Sequence, residues 1–348
     1  MPSFQRVSFS SYGGPEVLQL ETVAQLPEPA PHQVRVRVQA ASVSFTDTMV
    51  RTGNYLDVRQ PPPLTPGYDF VGVVDAVGSA VQHWRVGDRV ADLTVIGSYS
   101  EYLLRDAQDL VAVPPELDAA QAVTCVLSYT TAYQMLHRTA QVQSGQTILV
   151  HAGAGAVGMA LIQLGKLHGL RVLCTASAGK HDFVRSLGAE PIDYQRQDFV
   201  AAVAELTQGR GVDAVFDTIS FSNFKRSFAC LNASGFLVAY GVYQATIGTR
   251  QKQVGKVLRE VLPFFAAKLW WQLTQPKKRS AFYMITAERK KHAQQFQDDL
   301  GALFALVAAG KLQPIVDSTL PLAQAAQAHR LVEAAQTRGK IVLLMPEP

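Results

Sequence analysis

The amino-acid sequence predicts an α/β protein in which a doubly wound parallel sheet follows a compact β-rich region. Three observations carry this expectation. An apolar run at 147–151 leads into Gly153-Ala154-Gly155-Ala156-Val157-Gly158, a helical stretch at 159–168 and a second apolar run at 171–174. That is strand, glycine turn, helix and strand, in the order a dinucleotide-binding unit requires. Upstream, Val34, Val36 and Val38 alternate with Arg35 and Arg37, the period of a half-buried strand. Finally, 348 residues with 48% hydrophobic and 17% charged side chains suit a globular chain of two domains or one large one.

Taken in order, the first third reads as β-rich: strands at 33–40, 70–77 and 89–93, punctuated by Gly67, Gly72, Gly78 and Gly87. Pro61-Pro62-Pro63 with Pro66 must be loop, because proline has no N–H for a ladder. After the glycine turn come a fourth strand at 212–217, a fifth at 236–240 and a sixth at 281–285. The stretch 287–311 reads as one long helix. In the turn itself, one glycine is expected to permit the tight bend, one to let backbone approach a pyrophosphate, and one to let helix lie close on strand. The free N–H groups and dipole of the helix start would hold the anion.

Composition excludes several classes. A formal charge of +4 and the lack of a basic, aromatic-interleaved patch argue against nucleic acid. Cys125, Cys174 and Cys230 are odd in number and far apart, which predicts a reducing, cytoplasmic setting without disulfides. The first residues lack the apolar segment of a secretory signal, and no run of about 18 apolar residues predicts a membrane span.

The stretch Gly67-Tyr68-Asp69-Phe70-Val71-Gly72 through Gly78, followed by Gly87-Asp88-Arg89-Val90, resembles the catalytic-domain signature of the medium-chain dehydrogenase/reductase superfamily. The opening Tyr12-Gly13-Gly14-Pro15-Glu16-Val17-Leu18 is similar to the start of its zinc-free quinone oxidoreductase (zeta-crystallin-like) branch. Thr175-Ala176-Ser177 with Lys180-His181 and Trp270-Trp271 resembles the vesicle amine-transport protein-like reductases. The resemblance implies a GroES-like domain formed by both chain ends, at 1–125 and 288–348. It implies a Rossmann domain between them, at 126–287 with an insertion at 250–280, and a cleft in the middle.

Zinc enzymes of this superfamily bind a catalytic metal with a cysteine, the histidine of a Gly-His-Glu triplet and a further cysteine. Here those positions carry Ser44, Gly67-Tyr68-Asp69 and a displaced Cys125, so no metal is expected. Without a Lewis acid, an acceptor that is already electrophilic, a quinone or an α,β-unsaturated carbonyl, is favoured. In zinc-free relatives a pattern Asn-x-x-Asp followed by Gly-x-Tyr lines the cleft, with the tyrosine as proton donor. Asp47, Gly53 and Tyr55 match it, while Ser44 replaces the asparagine. Tyr55 is therefore the candidate proton or hydrogen-bond donor and Ser44 and Asp47 are candidate cleft-lining residues. Asp47 also reads as a helix-start residue, Tyr55 as a packed loop aromatic, and Arg51 as a side chain that ties the loop down or faces solvent.

The cofactor expected is NADPH. NAD enzymes place an acid about 20 residues past the glycine turn to hold the ribose hydroxyls. Here the strand runs into Ser177 and Lys180 instead, and the first acid, Asp182, falls on the next helix. Tyr194 matches a tyrosine that packs near the 2′-phosphate in quinone reductases. Ala152, with Gly155 and Gly158, also fits the Ala-x-x-Gly-x-x-Gly form of that branch. Thr131, Asp217, Gly241, Val242 and Lys340 complete the expected cofactor contacts.

Residues 252–279 read as an amphipathic helix with a break or kink at Pro263, serving as a lid or subunit contact, or lying on a membrane surface through Trp270-Trp271 and Lys277-Lys278-Arg279. The resemblance further implies a homodimer. The expected activity is NADPH-dependent reduction of quinones or enones. The alternatives are an enoyl-thioester reductase and an NADPH-binding interaction protein with little turnover.

Overall fold

The computed structural model describes residues 3–346. The chain divides into two units. One runs up to Thr130, takes in Gly248–Lys252 and resumes at Thr286; the other comprises Thr131–Ile247 and Gln253–Ile285.

The first unit is built on a seven-stranded sheet. Its strands run Val316–Pro321, Lys340–Leu344, Gln33–Val43, Asp69–Val77, Arg89–Leu93 and Val111–Ala112, with Tyr102–Asp106 paired to Gln33–Val43. Gln33–Val43 is longer than its alternation predicted because its two halves serve different partners. Residues 33–37 pair Tyr102–Asp106, and 40–43 pair the returning C-terminal strand. Val34, Val36 and Val38 are buried as their alternation requires, in one core with Phe70, Val74, Val90 and Leu343. The segment Gly248–Lys252 joins this unit: Asn54 Nδ2 donates to Thr249 Oγ1 and to the Gln251 carbonyl, and Lys252 lies over the Tyr12 ring.

The second unit holds six parallel strands in the order Ala189–Asp193, Arg171–Ala176, Thr147–Val150, Val212–Asp217, Leu231–Ala239, Arg279–Phe282. This is the doubly wound order of dinucleotide-binding sheets, with the sequence direction reversing between Thr147–Val150 and Val212–Asp217. Ligands of such sheets bind outside the carboxyl ends of the strands at that switch point.

Three helical and strand expectations are corrected. The stretch 287–311 is two helices, Ile285–Lys291 and Ala293–Ala308, parted where His292 leaves helical geometry (φ −136°, ψ 57°). The sixth strand sits earlier, at Arg279–Phe282, in register with Phe236–Ala239 of its neighbour. The helix Val254–Thr274 runs through Pro263 without a break. Proline removes one backbone bond there. Against that loss, Val257, Phe264 and Trp271, spaced seven apart, anchor one face in the core, and Trp271 stacks on Phe228 with centroids 4.1 Å apart. The opposite face is solvent-facing and apolar: Leu262, Leu269, Trp270 and Leu273 are 61–73% exposed. Among the described residues, no helix is long and apolar enough to cross a membrane.

Candidate functional site

The glycine turn lies at the switch point, between the strand Thr147–Val150 and the helix Ala156–Leu167. Its left-handed residue is not a glycine. Ala152 has φ +54°, whereas none of Gly153, Gly155 and Gly158 has positive φ. The glycines are needed for clearance instead. A Cβ on Gly158 would overlap the Ala152 carbonyl oxygen and lie 2.9 Å from both Cα and O of Gly153. A Cβ on Gly153 would meet Cys174 Cβ at 2.7 Å on the neighbouring strand, whereas at Gly155 the one neighbour is the Ala152 oxygen at 3.2 Å. Gly155 is the N-cap, so Ala156, Val157 and Gly158 form the first helical turn, with no acidic side chain there. Ala154 is buried beside them. A helix start with only apolar side chains and no negative charge fits a pyrophosphate.

The turn is braced from the next strand. Gly153 N–H donates to the Thr175 carbonyl at 2.9 Å and Ala152 N–H to Thr175 Oγ1 at 3.2 Å. That strand ends at Ala176, and Ser177 then caps a short turn in which the Lys180 N–H returns to the Ser177 carbonyl. Asp182 lies on the following helix, solvent-exposed beside Arg185. Tyr194 follows the third strand and is 55% exposed. A hydroxyl, an ammonium and an exposed phenol thus follow the ends of these two neighbouring strands, a donor set suited to a phosphate. Across the switch point, the Thr218 side chain sits where a Cβ of Gly241 would fall, and Val242 is buried. Asp217, expected as a cofactor neighbour at its strand end, is fully buried, and its carboxylate accepts from Ile219 N–H, Asn223 and Ser227, so its side chain holds its own chain. Thr131 lies in the short helix Thr130–Gln134 and is buried.

In the other unit, Ser44 is the N-cap of the helix Phe45–Arg51, and Ser44 with Asp47 forms a capping box. Asp47 is fully buried; it accepts from Ser44 N–H at 2.8 Å, from the Ser44 hydroxyl, and through its other oxygen from Gly67 N–H at 3.1 Å. Burial pushes its carboxyl up to about 6, against the opposing effect of the Ser44 hydrogen bonds and Lys340. Asp69 is likewise buried and accepts from Ser42 N–H and Oγ; burial raises it and the Lys340 charge opposes that. Lys340 was expected at the cofactor. It lies in this unit, 2% exposed, with its charge acting on Asp69 and Asp47, while burial lowers its own pKa. The strand register explains the placement: Ile341 pairs Val43 and Val342 pairs Ser42, which carries Lys340 toward the Ser44 end.

Arg51 ties its loop down rather than facing solvent. It is 0% exposed, pairs with Glu333, meets His329 Nδ1 at 2.9 Å, and donates to the Gly13 carbonyl at 3.0 Å. Tyr55 is half-buried, and its hydroxyl is hydrogen-bonded to that of the fully buried Tyr68 in an edge-to-face pair. Burial raises the Tyr55 phenol well above its ordinary range, so it stays a proton-bearing donor. Tyr68 was noted only as the residue in place of a histidine; its pairing to Tyr55 depends on two loops meeting.

Zinc does not fit these residues. The Ser44 hydroxyl is committed to a cap, the Tyr68 hydroxyl to Tyr55, and Cys125 is a fully buried thiol whose pKa burial raises. Among the described residues, no three His, Cys, Asp or Glu side chains are grouped to hold a metal. The polar residues at the sheet's switch point, His151, Thr175 and Ser227, were missed. The only sequence signal was a histidine ending an otherwise apolar strand.

A doubly wound sheet with a cleared glycine turn, joined to a β-rich unit made from both chain ends, defines an NAD(P)-binding oxidoreductase. Comparison with known proteins agrees. Residues 30–115 match the alcohol dehydrogenase GroES-like domain and residues 187–343 the zinc-binding dehydrogenase family. A quinone oxidoreductase of Pseudomonas aeruginosa is 35% identical over 343 residues, 98% of this chain and 99% of that protein. The human synaptic vesicle membrane protein VAT-1 homolog is 30% identical, over 97% of this chain and 86% of its own. The crystal structure of Escherichia coli quinone oxidoreductase complexed with NADPH superposes with a TM-score of 0.84 at 27% identity, covering 98% of this chain and 99% of that one. The chain belongs to the medium-chain dehydrogenase/reductase superfamily, in its zinc-free quinone oxidoreductase branch.

Proposed function

We propose that this protein is an NADPH-dependent, zinc-independent reductase of quinones or α,β-unsaturated carbonyls. The observation that carries the acceptor class is the replacement of a metal-ligand set by hydroxyls already committed, Ser44 to the Asp47 carboxylate and Tyr68 to Tyr55, with Tyr55 left as a protonated donor. NADPH, when bound, supplies a hydride. Reduction of an enone or a quinone would place negative charge on the acceptor oxygen. The Tyr55 hydroxyl donates a hydrogen bond to that oxygen, and Tyr68 fixes the direction in which the Tyr55 hydroxyl points. Ser44 and Asp47 hold the start of the helix that leads into the Tyr55 loop. The helix-start N–H groups of Ala156, Val157 and Gly158 would hold the pyrophosphate, and Ser177, Lys180 and Tyr194 would hold the 2′-phosphate.

The test is NADPH consumption across a panel of quinones, enones and enoyl thioesters. Turnover of quinones or enones supports the reading, and turnover confined to enoyl thioesters replaces it with the thioester reductase. A flat panel with tight NADPH binding replaces it with a cofactor-binding interaction protein. We further propose that the exposed face of Val254–Thr274 contacts an anionic lipid surface. Residues 252–279 carry seven basic side chains against one acidic, Glu260, and exposed Leu262, Leu269 and Trp270 supply the apolar face.

A further inference from the structure

A buried polar chain runs beneath the cofactor turn. His151 is the first residue past the strand Thr147–Val150 and is 2% exposed. Its Nε2 lies 3.0 Å from Ser227 Oγ, which lies 2.7 Å from Asp217 Oδ2. On the other side of the ring, Nδ1 lies 3.1 Å from Thr175 Oγ1, and that oxygen also meets the Ala152 N–H. The His151 N–H donates to the Phe216 carbonyl at 3.0 Å. The side chains therefore link the carboxyl ends of three adjacent strands, those ending at Val150, Ala176 and Asp217.

With the imidazole neutral, proton counting gives every bond a direction. Asp217 Oδ2 accepts from Ser227 Oγ, which uses the single serine proton. The Ser227 oxygen must then accept from His151 Nε2–H. His151 Nδ1 carries no proton and accepts from the Thr175 hydroxyl, and the Thr175 oxygen accepts the Ala152 N–H. One arrangement satisfies all members, with the imidazole neutral; burial favours that form by lowering the His151 pKa. Serine, histidine and aspartate here are not a nucleophilic triad, because the serine proton points to the carboxylate and not to the imidazole.

We propose that His151 is a positioning residue for cofactor binding: with Thr175 and Ser227 it fixes the left-handed Ala152 and so the turn that presents N–H groups to the pyrophosphate. Ala152 is an alanine in a conformation that favours glycine, so something outside it must hold it there. The Thr175 hydroxyl is the side-chain group that does so, beside the Thr175 carbonyl on the Gly153 N–H, and His151 orients that hydroxyl. This inference rests on the reading of the turn as the NADPH site.

The experiment measures NADPH dissociation constants by nucleotide fluorescence for wild type, Thr175→Val, Thr175→Ser and Ser227→Ala, with far-UV circular dichroism for folding. Thr175→Val keeps the shape and removes both bonds, so its NADPH dissociation constant should rise about tenfold. Its KM for NADPH should rise by more than its kcat falls. Thr175→Ser should restore binding, and Ser227→Ala should weaken it in the same direction. Folded Thr175→Val and Ser227→Ala proteins that bind NADPH as wild type does would overturn the inference. A wild-type protein that binds no NADPH would instead overturn the cofactor reading beneath it. Should the variants not fold, imidazole ¹⁵N shifts of wild type decide: the Nε2–H tautomer with a shift on adding NADPH is expected, and the Nδ1–H tautomer or an imidazolium refutes the chain.

Discussion

Gly158→Ala sets two opposing effects against each other. Gly158 lies within the helix Ala156–Leu167, where alanine ordinarily gains about 1 kcal/mol over glycine. The new methyl, however, would overlap the Ala152 carbonyl oxygen and lie 2.9 Å from two further backbone atoms of Gly153, inside the 3.4 Å at which ordinary van der Waals contact begins. These are backbone atoms, so no side chain can swing away. Overpacking of this kind costs about 1–3 kcal/mol. The turn can relieve part of it by opening away from the helix, but binding pyrophosphate requires it to close again. The strain therefore appears in the NADPH dissociation constant, as a rise of roughly 5- to 150-fold. Gly155→Ala is the matched control: its only close neighbour is one oxygen at 3.2 Å, which yields by a few tenths of an ångström. Nucleotide fluorescence titration and thermal unfolding of both variants provide the assay. The expected order is Gly158→Ala weaker in binding and lower in Tm than Gly155→Ala. A Gly158→Ala protein that binds NADPH within twofold of wild type and melts higher would show that helix propensity wins, and would refute the steric reading.

Tyr55→Phe should lower kcat on quinones and enones by roughly 10²-fold, the typical loss of one oxyanion donor; unchanged turnover on every accepted substrate would remove Tyr55 from the mechanism. Lys180→Ala should weaken NADPH about tenfold while leaving NADH nearly unaffected, as expected for loss of a charge-assisted phosphate contact; equal loss for both nucleotides would place Lys180 elsewhere. Asp47 has its carboxyl raised in the folded state from 3.8 to about 6, so the folded protein binds that proton more tightly than the unfolded chain. Its ionisation therefore costs stability in full above pH 6, and the cost is relieved as pH falls toward 3.8. Urea unfolding of wild type and Asp47→Asn across that window should show their stability difference changing with pH in this sense; a pH-independent difference would contradict it. Flotation at low salt should recover the protein with anionic but not with neutral vesicles, and failure to float with anionic vesicles would exclude the lipid contact.

Much of this architecture was legible in the chain because it rests on local rules. The alternation of Val34, Val36 and Val38 needs only the period of a strand, and the 153–158 turn between two apolar runs needs only backbone geometry and helix-start electrostatics. The absence of an acid after the second strand, and the hydroxyls where metal ligands would stand, are likewise statements about residue type at a position. Tertiary structure decided matters of distance and shared protons. It moved the left-handed residue of the turn to Ala152, put Lys340 among buried carboxylates, turned Asp217 inward, and paired Tyr55 with Tyr68. It also carried the helix Val254–Thr274 through Pro263, because the burial of Phe264 and Trp271 depends on what lies opposite them. A sequence states which groups can donate, accept or clear space; only the packed chain brings His151, Thr175 and Ser227, up to 76 residues apart, within hydrogen-bonding range and thereby fixes which of them does so.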